Sequence, residues 1–125
     1  MNREYQIYRN IAYYMRLQYP DVLYHFDPTG LNLSKTQAGQ LKAIQGGKGY
    51  PDLFIIEPRK GYHGLFIEIK AEGNNPLRKD GTIREGSYEY DQCLFIAALN
   101  KKGFQAAMAV GFDACMAIID NYLKG

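Results

Sequence analysis

Three residues of this chain could together hydrolyse a phosphodiester bond. Asp52 begins the first of two apolar, β-prone runs in the stretch PDLFIIEPRKGYHGLFIEIK, residues 51–70, and Glu68 and Lys70 lie at the end of the second. Side chains alternate along a strand, so Glu68 and Lys70 share one face. Carboxylates bind a hard divalent cation such as Mg²⁺, the cation activates water, and an adjacent ammonium group stabilises the charge that develops.

The turn-like segment EPRKGYHG, residues 57–64, would let the two runs pair as an antiparallel hairpin. In such a hairpin Asp52 and Glu68 fall at the same end of the ladder, beside Lys70. Two adjacent carboxylates repel each other unless a proton or a cation lies between them. We therefore predict a Mg²⁺ site here. The open alternative is an exposed edge strand, on which Glu68 and Lys70 merely discourage aggregation.

Two side chains on predicted helices could reach the same place. Glu4 falls on the inward stripe of the first helix, in line with Tyr8, Ile11 and Met15, although a first-turn glutamate also simply favours the helix dipole. Gln92 lies close to the inner face of a later helix, and the alternative there is a surface amide.

Helical and extended patterns alternate along the chain, which predicts an α/β protein with a small mixed central sheet and helices on both faces. The predicted elements are a helix over 2–19, a strand over 22–26, a helix over 34–45 that begins at Ser34, two strands within 51–70, a polar loop over 71–86, a helix from Ser87 to about Lys102 that Gly103 ends, a strand over 104–110, and a last helix that Asp113 caps. The predicted inward residues of the last two helices are Tyr90, Cys93, Leu94 and Ala97, then Met116, Ile119 and Leu123.

Length and composition favour one domain over residues 1–125, because 125 residues suit a single core and 46% of them are apolar. The net charge of +2 neither demands nor excludes a polyanion partner. The N-terminus has no apolar signal region, and the longest apolar run, residues 93–99, is far too short to span a membrane. We therefore expect a cytoplasmic protein, with Cys93 and Cys115 as free buried thiols.

The motif Pro51-Asp52 followed by Glu68-Ile69-Lys70 resembles the PD-(D/E)xK nuclease signature. The wider pattern, GGKGYPDLFII, then GLFIEIKAEG, DQ, NKKGF and VGFDACMAIIDNYL, is similar to the VRR-NUC family in particular, from about Gln40 to the C-terminus. This resemblance implies a restriction-endonuclease-like α/β core. It also implies divalent-metal-dependent cleavage of DNA that leaves a 5′-phosphate, with Mg²⁺ or Mn²⁺ as the cofactor.

By the same resemblance, Asp52 and Glu68 would be metal ligands, together with the backbone carbonyl of Ile69. Lys70 would serve the water nucleophile. Glu4 would match the acidic residue of the first helix, which counts as both catalytic and metal-binding, and Gln92 would match the helix amide that supports the site. Stand-alone members of this size resemble phage and bacterial proteins and can act as homodimers on branched DNA such as Holliday junctions. The resemblance therefore implies a bacterial or phage-infected cell.

Basic residues near the proposed site could contact phosphates, with solvated surface charges as the alternative reading. These residues are Lys35, Lys42, Lys48, Arg78, Lys79 and Arg84. Some of the 11 tyrosines could stack on unpaired bases, although most would lie at the edge of the core. His25 and His63 have no partner that would make either of them a metal ligand.

The leading hypothesis is a structure-selective DNA endonuclease that depends on Mg²⁺ or Mn²⁺, possibly resolving Holliday junctions as a homodimer. One alternative is a catalytically silent DNA-binding or assembly module of the same fold. Another is metal-dependent hydrolysis of a different phosphodiester.

Overall fold

The structure, a computed structural model, describes residues 3–27, 33–47, 49–73, 80, 82 and 85–124. The elements over these ranges are α1 (Arg3–Gln18), β1 (Leu23–Phe26), α2 (Lys35–Ile44), β2 (Leu53–Ile56), β3 (Leu65–Lys70), α3 (Tyr88–Lys101), β4 (Gln105–Val110) and α4 (Phe112–Leu123). Each helix and strand predicted from the sequence is confirmed, with ends that differ by a few residues. α2 begins as predicted, because the Ser34 hydroxyl accepts the N–H of Gln37 and the Gln37 side chain accepts the N–H of Ser34.

The sheet has the strand order β1-β2-β3-β4 and is mixed, as predicted. β1 and β2 pair antiparallel, β2 and β3 form the predicted antiparallel hairpin, and β3 and β4 run parallel. α3 makes the crossover between the two parallel strands. The hairpin strand that carries the proposed site is therefore central.

One face of the sheet forms the hydrophobic core beneath α1 and α4. Odd-numbered residues of β2, β3 and β4 point to this face and meet the inward side chains of the two helices. The fully buried members are Ile11, Met15, Leu53, Ile55, Leu65, Ile67, Ile69, Cys115, Ile119 and Tyr122. A continuous apolar layer thus anchors β3 from one side.

The opposite face carries even-numbered residues and lies on the side of α3. Phe54 and Phe66, which are paired in the hairpin register, stack in parallel with centroids 4.2 Å apart, and Phe104 packs edge-on against both rings. The side chain of Asn100 on α3 accepts the N–H of Ala106 at 3.0 Å and donates to the Ala106 carbonyl at 3.2 Å. These contacts fix α3 against β4.

The predicted inner face of α3 is wrong for Leu94 and Ala97, whereas Tyr90 and Cys93 are half-buried. Leu94 is 54% exposed and Ala97 is also exposed, whereas Gln92 and Leu99 are buried. The segment from Cys93 to Leu99 is apolar all round, so its hydrophobic pattern has no clear phase. Packing against β4, and not the pattern, decides which residues face inward.

The predicted cap of α4 is also wrong. Gly111 occupies the N-cap position with φ 87°, and the helix begins without a side-chain cap, so that Asp113 lies in the first turn. Ile119 and Leu123 are buried as predicted, and Met116 is half-buried. Gly103 follows the last residues of α3 with φ 92°, the left-handed conformation that suits glycine after a helix.

Both cysteines are free thiols, as predicted, with Cys115 buried and Cys93 half-buried. Over the described residues, the structure contains no helix long and apolar enough to cross a membrane. Most of the predicted polar loop over 71–86 lies outside the described residues.

Candidate active site

The hairpin register sets two carboxylates opposite each other. The last β2–β3 pair joins Leu53 to Ile67, and one further step in the same register brings Asp52 opposite Glu68. Residues directly opposite in an antiparallel pair project to the same side of the sheet. β3 has a strand on each side, so the alternative of an exposed edge strand for Glu68 is wrong.

Asp52 is held in place by backbone groups. Its Oδ2 accepts the N–H of Ile69 at 2.8 Å, two residues beyond the last β2–β3 pair. Its backbone carbonyl accepts the N–H of Asp27, which follows β1, also at 2.8 Å. The Asp52 carboxylate thus takes the place of the backbone carbonyl that a longer β2 strand would offer to the Ile69 N–H. Its orientation is therefore fixed before any ligand binds.

Glu68 is buried at 2% exposure, and its Oε1 has no hydrogen-bond partner among the described residues. Its Oε2 lies 3.6 Å from the Nζ of Lys70, whose side chain is 11% exposed. A buried carboxylate oxygen without a partner carries a desolvation cost that the fold does not offset. An oxygen of this kind is placed for a ligand or a proton.

The pKa values of Asp52 and Glu68 also indicate a place for a proton or a cation. Burial, together with the charge of Asp52 and against the opposing effect of Lys70, raises the pKa of Glu68 to about 9. Burial also raises the pKa of Asp52, although hydrogen bonds from Glu68 and the Ile69 N–H oppose that rise. Without a cation, a proton shared by the two carboxyl groups would relieve their mutual repulsion.

The donor set fits a hard divalent cation. Mg²⁺ is usually bound through one or two carboxylates, with water filling the remaining octahedral positions. Glu68 supplies an unpartnered oxygen, and the Asp52 carboxylate lies next to it. Over the described part of the chain, no three Asp, Glu, His or Cys side chains converge into a metal-binding cluster, so the candidate centre is a two-carboxylate site.

Glu4 approaches this centre from the first turn of α1. Its pKa is raised by burial and then by the charge of Asp52, with Lys70 opposing. The carboxylate is therefore within electrostatic range of both residues, as its helical phase predicted. It does not complete a three-carboxylate cluster, and its role as a ligand stays a prediction.

Gln92 approaches from α3 and is only 2% exposed, so the surface-amide alternative is wrong. Its Oε1 has no hydrogen-bond partner in the described residues. Its side chain lies near Tyr88, whose pKa is raised by burial and by the charges of Glu68 and Asp52. α3 thus brings a buried amide and a tyrosine to the edge of the acidic pair.

Gly49 makes the approach of α3 possible. It is buried with φ 86°, and a Cβ at this position would lie 3.1 Å from the backbone of Asp91 and from the Cα of Gln92. A side chain here would push the segment that leads into Asp52 away from the helix. The glycine therefore sets the distance between the acidic pair and the Gln92 amide.

Tyr8 is a site residue that the sequence analysis assigned only to the core. It is 4% exposed, yet its hydroxyl has no hydrogen-bond partner among the described residues. Burial and the nearby charge of Asp52 raise its pKa well above the ordinary range. The hydroxyl itself could have identified Tyr8 from the sequence, because a buried tyrosine one turn from Glu4 needs a polar partner.

The predicted phosphate contacts divide into two groups. Lys35 and Lys42 lie on α2 and are exposed, and Lys42 lines a cleft beside the acidic pair. The others, Lys48, Arg78, Lys79 and Arg84, lie outside the described residues. Contact of any of these residues with DNA stays a prediction.

Comparison with known proteins agrees with the geometry. The family model for the VRR-NUC domain matches residues 3–113. A solved structure described as a VRR_NUC domain protein is 27% identical, with a TM-score of 0.72, and the alignment covers 99% of this chain and 90% of that one. No curated protein matches the chain.

Proposed function

Because this chain belongs to the VRR-NUC family, whose domains are generally nucleases, we propose that it is a divalent-metal-dependent DNA endonuclease. The buried, unpartnered oxygen of Glu68 opposite Asp52 is the observation that carries the proposal. A purely structural sheet position gains nothing from such a carboxylate, whereas a metal ligand requires it.

Asp52 and Glu68 would hold the cation. The Ile69 N–H keeps Asp52 turned toward Glu68, so little reorganisation is needed on binding. The cation, Mg²⁺ or Mn²⁺, would activate water and offset the negative charge that builds on the scissile phosphate. The Ile69 carbonyl and Glu4 are the further ligands that we propose for it.

Lys70 has a separate task in this proposal. Its ammonium group is held 3.6 Å from Glu68 on the same face of β3 and is largely shielded from solvent. In that position it can orient the attacking water and stabilise the charge on the phosphate oxygens. Gln92 and Tyr8 would supply hydrogen bonds to the same site, since each has a buried polar atom without a partner among the described residues.

The test is a cleavage assay with purified variants. We expect Asp52→Ala and Lys70→Ala to abolish cleavage while metal-free DNA binding survives. The matched controls are Asp113→Ala, an exposed acid, and Lys101→Ala, an exposed lysine, and both should cleave normally. Undiminished cleavage by Asp52→Ala and Lys70→Ala would refute the proposal, and wild-type DNA binding without divalent-dependent cleavage would favour the silent-module alternative.

The preferred substrate that we propose is branched DNA, including the Holliday junction, in a bacterial or phage-infected cell. The assay is a panel of linear duplex, single strand, flap, splayed arm and four-way junction, each with and without Mg²⁺ or Mn²⁺. We expect the branched substrates to be cut fastest. Equal rates on all five, or activity on nucleotides and not on DNA, would contradict this proposal.

We also propose a homodimer, because two symmetric cuts in a junction suit a protein with twofold symmetry. Light scattering at micromolar concentration should give twice the 14.2 kDa mass of one chain. A single-chain mass over the whole concentration range would count against the dimer.

A further inference from the structure

We propose that a cleft beside the acidic pair binds one unpaired nucleobase of the DNA strand that is cut. The inference rests on the proposed nuclease function and adds a binding subsite to it. The cleft has a volume of about 360 Å³ and lies between α2, the segment before β2 and the start of α3. The described residues that line it are Asp27, Leu33, Ala38, Lys42, Gln45, Gly47, Gly49, Tyr50 and Tyr88.

The cleft adjoins the candidate metal centre on several sides. Asp27 in its wall donates its backbone N–H to the Asp52 carbonyl. Gly49 packs against Gln92, and the charges of Glu68 and Asp52 raise the pKa of Tyr88. A nucleotide whose phosphate lies at the acidic pair would therefore have its base within reach of this cleft.

A second cleft of about 220 Å³ continues from the first along the same side of the sheet. The two share Asp27, Gln45 and Tyr50, and the second extends to Phe54 and Phe66. Phe66 lies two residues before Glu68 on the same face of β3. The connected clefts thus form a groove whose lining includes Pro51, the residue before Asp52, and Phe66, and we propose that a strand entering the site follows it.

The chemistry of the cleft suits a base better than a phosphate. Its volume lies at the small end of the range for ligand pockets, about 300–1,000 Å³, which admits a single ring system and excludes a duplex. Much of its lining is apolar or aromatic, from Leu33, Ala38, Tyr50 and Tyr88, which suits the face of a base and not a phosphate group. Gln45 offers an amide to the hydrogen-bonding edge of a base, and the exposed Lys42 stands on α2, where it can meet the backbone of the same nucleotide.

Two tyrosines provide the stacking surfaces. Tyr50 is held by Phe95, with ring centroids 4.2 Å apart, so its ring is already positioned. Tyr88 begins α3 and is 55% exposed, a large aromatic surface left open to solvent next to a buried site. Stacking of a base on an aromatic side chain contributes about 1–3 kcal/mol and tolerates any base.

Occupation of the cleft would make unpaired DNA the better substrate. A base inside an intact duplex must lose its pairing and stacking before it can enter, whereas a base at a junction or a flap is already partly free. The same subsite would therefore select the structure of the DNA without reading its sequence.

The experiment measures binding without cleavage, in Ca²⁺ or EDTA, by fluorescence anisotropy of branched DNA. An abasic site is moved through each position that flanks the cut. We expect Tyr88→Leu to weaken binding of intact branched DNA about 5- to 160-fold, the factor that corresponds to the stacking energy. At one abasic position the difference between wild type and Tyr88→Leu should vanish, because the base and the ring act together.

Two further variants separate stacking from other effects. Tyr88→Phe keeps the ring and loses the hydroxyl that meets Gln92, so it should bind within about twofold of wild type. Tyr13→Leu changes a tyrosine that is 64% exposed on α1 and lines neither cleft, and it should bind like wild type.

The inference is overturned if Tyr88→Leu weakens intact and abasic DNA equally at every position, or if it weakens neither. It is also overturned if Tyr88 governs the binding of free deoxynucleotides but not of DNA. These results are distinct from failure of the proposed function, which is a wild-type protein that cleaves no DNA. A protein that cleaves in an Asp52-dependent manner but shows no coupling at Tyr88 would refute the subsite alone.

Discussion

Two acidic sites in this small protein have opposite surroundings. Asp120 on α4 accepts hydrogen bonds from the Tyr14 hydroxyl at 2.6 and 2.8 Å and from the Tyr19 hydroxyl at 2.6 Å. Burial alone would raise the pKa of Asp120, but these bonds lower it overall. Glu68 has a buried oxygen without such a partner, and its pKa is raised to about 9.

The difference separates a structural carboxylate from one for which we propose a function. The tyrosines around Asp120 stabilise its charge and hold α1 to α4, so the group strengthens the fold as it stands. Glu68 lies deeper, in a central strand, where a proton or a cation is needed to balance its charge. Stability and function therefore place opposite demands on these two acids. Removing Asp120 should lower the stability of the fold, whereas neutralising Glu68 should not.

The largest expected effect comes from neutralising Glu68. Glu68→Gln should reduce metal-dependent cleavage by at least about 10²–10³-fold, comparable with the loss of one charge-stabilising group at other active sites. Its thermal unfolding temperature at pH 7.5, measured in EDTA, should be no lower than that of wild type, because an uncompensated buried acid is removed. A variant that unfolds earlier and still cleaves would reverse the comparison.

The pH dependence of stability should distinguish the same two acids. The folded-state pKa of Glu68 lies above its ordinary value of 4.5, so the folded state binds more protons than the unfolded state between about pH 4.5 and 9. The free energy of unfolding that Glu68 contributes is greatest below that window and is lost as the pH rises through it, by at most about 1.4 kcal/mol per pH unit.

This slope can be measured by urea unfolding of wild type and Glu68→Gln in EDTA across the window. The advantage of the variant should grow as the pH rises. Asp120 should contribute in the opposite direction, because its lowered pKa gives stability that is lost as the pH falls below about 4. A constant difference between wild type and Glu68→Gln would mean that Glu68 is ionised throughout.

A smaller effect is expected from removing the structural acid. Asp120→Ala leaves two tyrosine hydroxyls without their acceptor and should lower the free energy of unfolding by about 1–2 kcal/mol. Cleavage and metal affinity should be unchanged, which enzyme assays and calorimetric Mg²⁺ titration can check. Loss of cleavage in a variant that remains folded would show that the two acids are not independent.

The smallest effects compare two tyrosines. Tyr14→Phe should cost about 0.5–1.5 kcal/mol, because it removes hydrogen bonds to a carboxylate that is partly exposed to solvent. Tyr8→Phe should cost less than about 0.5 kcal/mol, since its more deeply buried hydroxyl has no partner among the described residues. Urea unfolding at pH 7 measures both. A large loss for Tyr8→Phe would mean that its hydroxyl is already satisfied in solution.

The sequence predicted the acidic centre well because strand alternation fixes it locally. Asp52, Glu68 and Lys70 lie in one hairpin, and the register that buries Leu53 and Ile67 also sets the two acids opposite each other. The helix phase that predicted Glu4 is equally local. These residues required only periodicity and the geometry of a short connection.

Other parts of the site depended on distant contacts and could not be predicted in this way. The orientation of α3 is decided by packing on β4, which explains why Leu94 was placed inside and is exposed. The Tyr8 hydroxyl has no partner among the described residues and lies near Asp52, and this placement depends on a contact between segments far apart in the chain. The cleft at Tyr50 and Tyr88 is formed by segments far apart in the chain, and no single pattern marks it.

The bond pair between Asn100 and Ala106 also bears on how two copies of the chain can meet. Within a strand, the N–H and C=O of one residue point to the same side, and β4 is the last strand of the sheet. The Asn100 amide therefore occupies the outward-facing hydrogen-bonding positions of Ala106, much as a peptide group of a fifth strand would. This side-chain pairing disfavours the addition of a strand at that edge, so the homodimer that we propose would not form by pairing β4 of one subunit with β4 of the other.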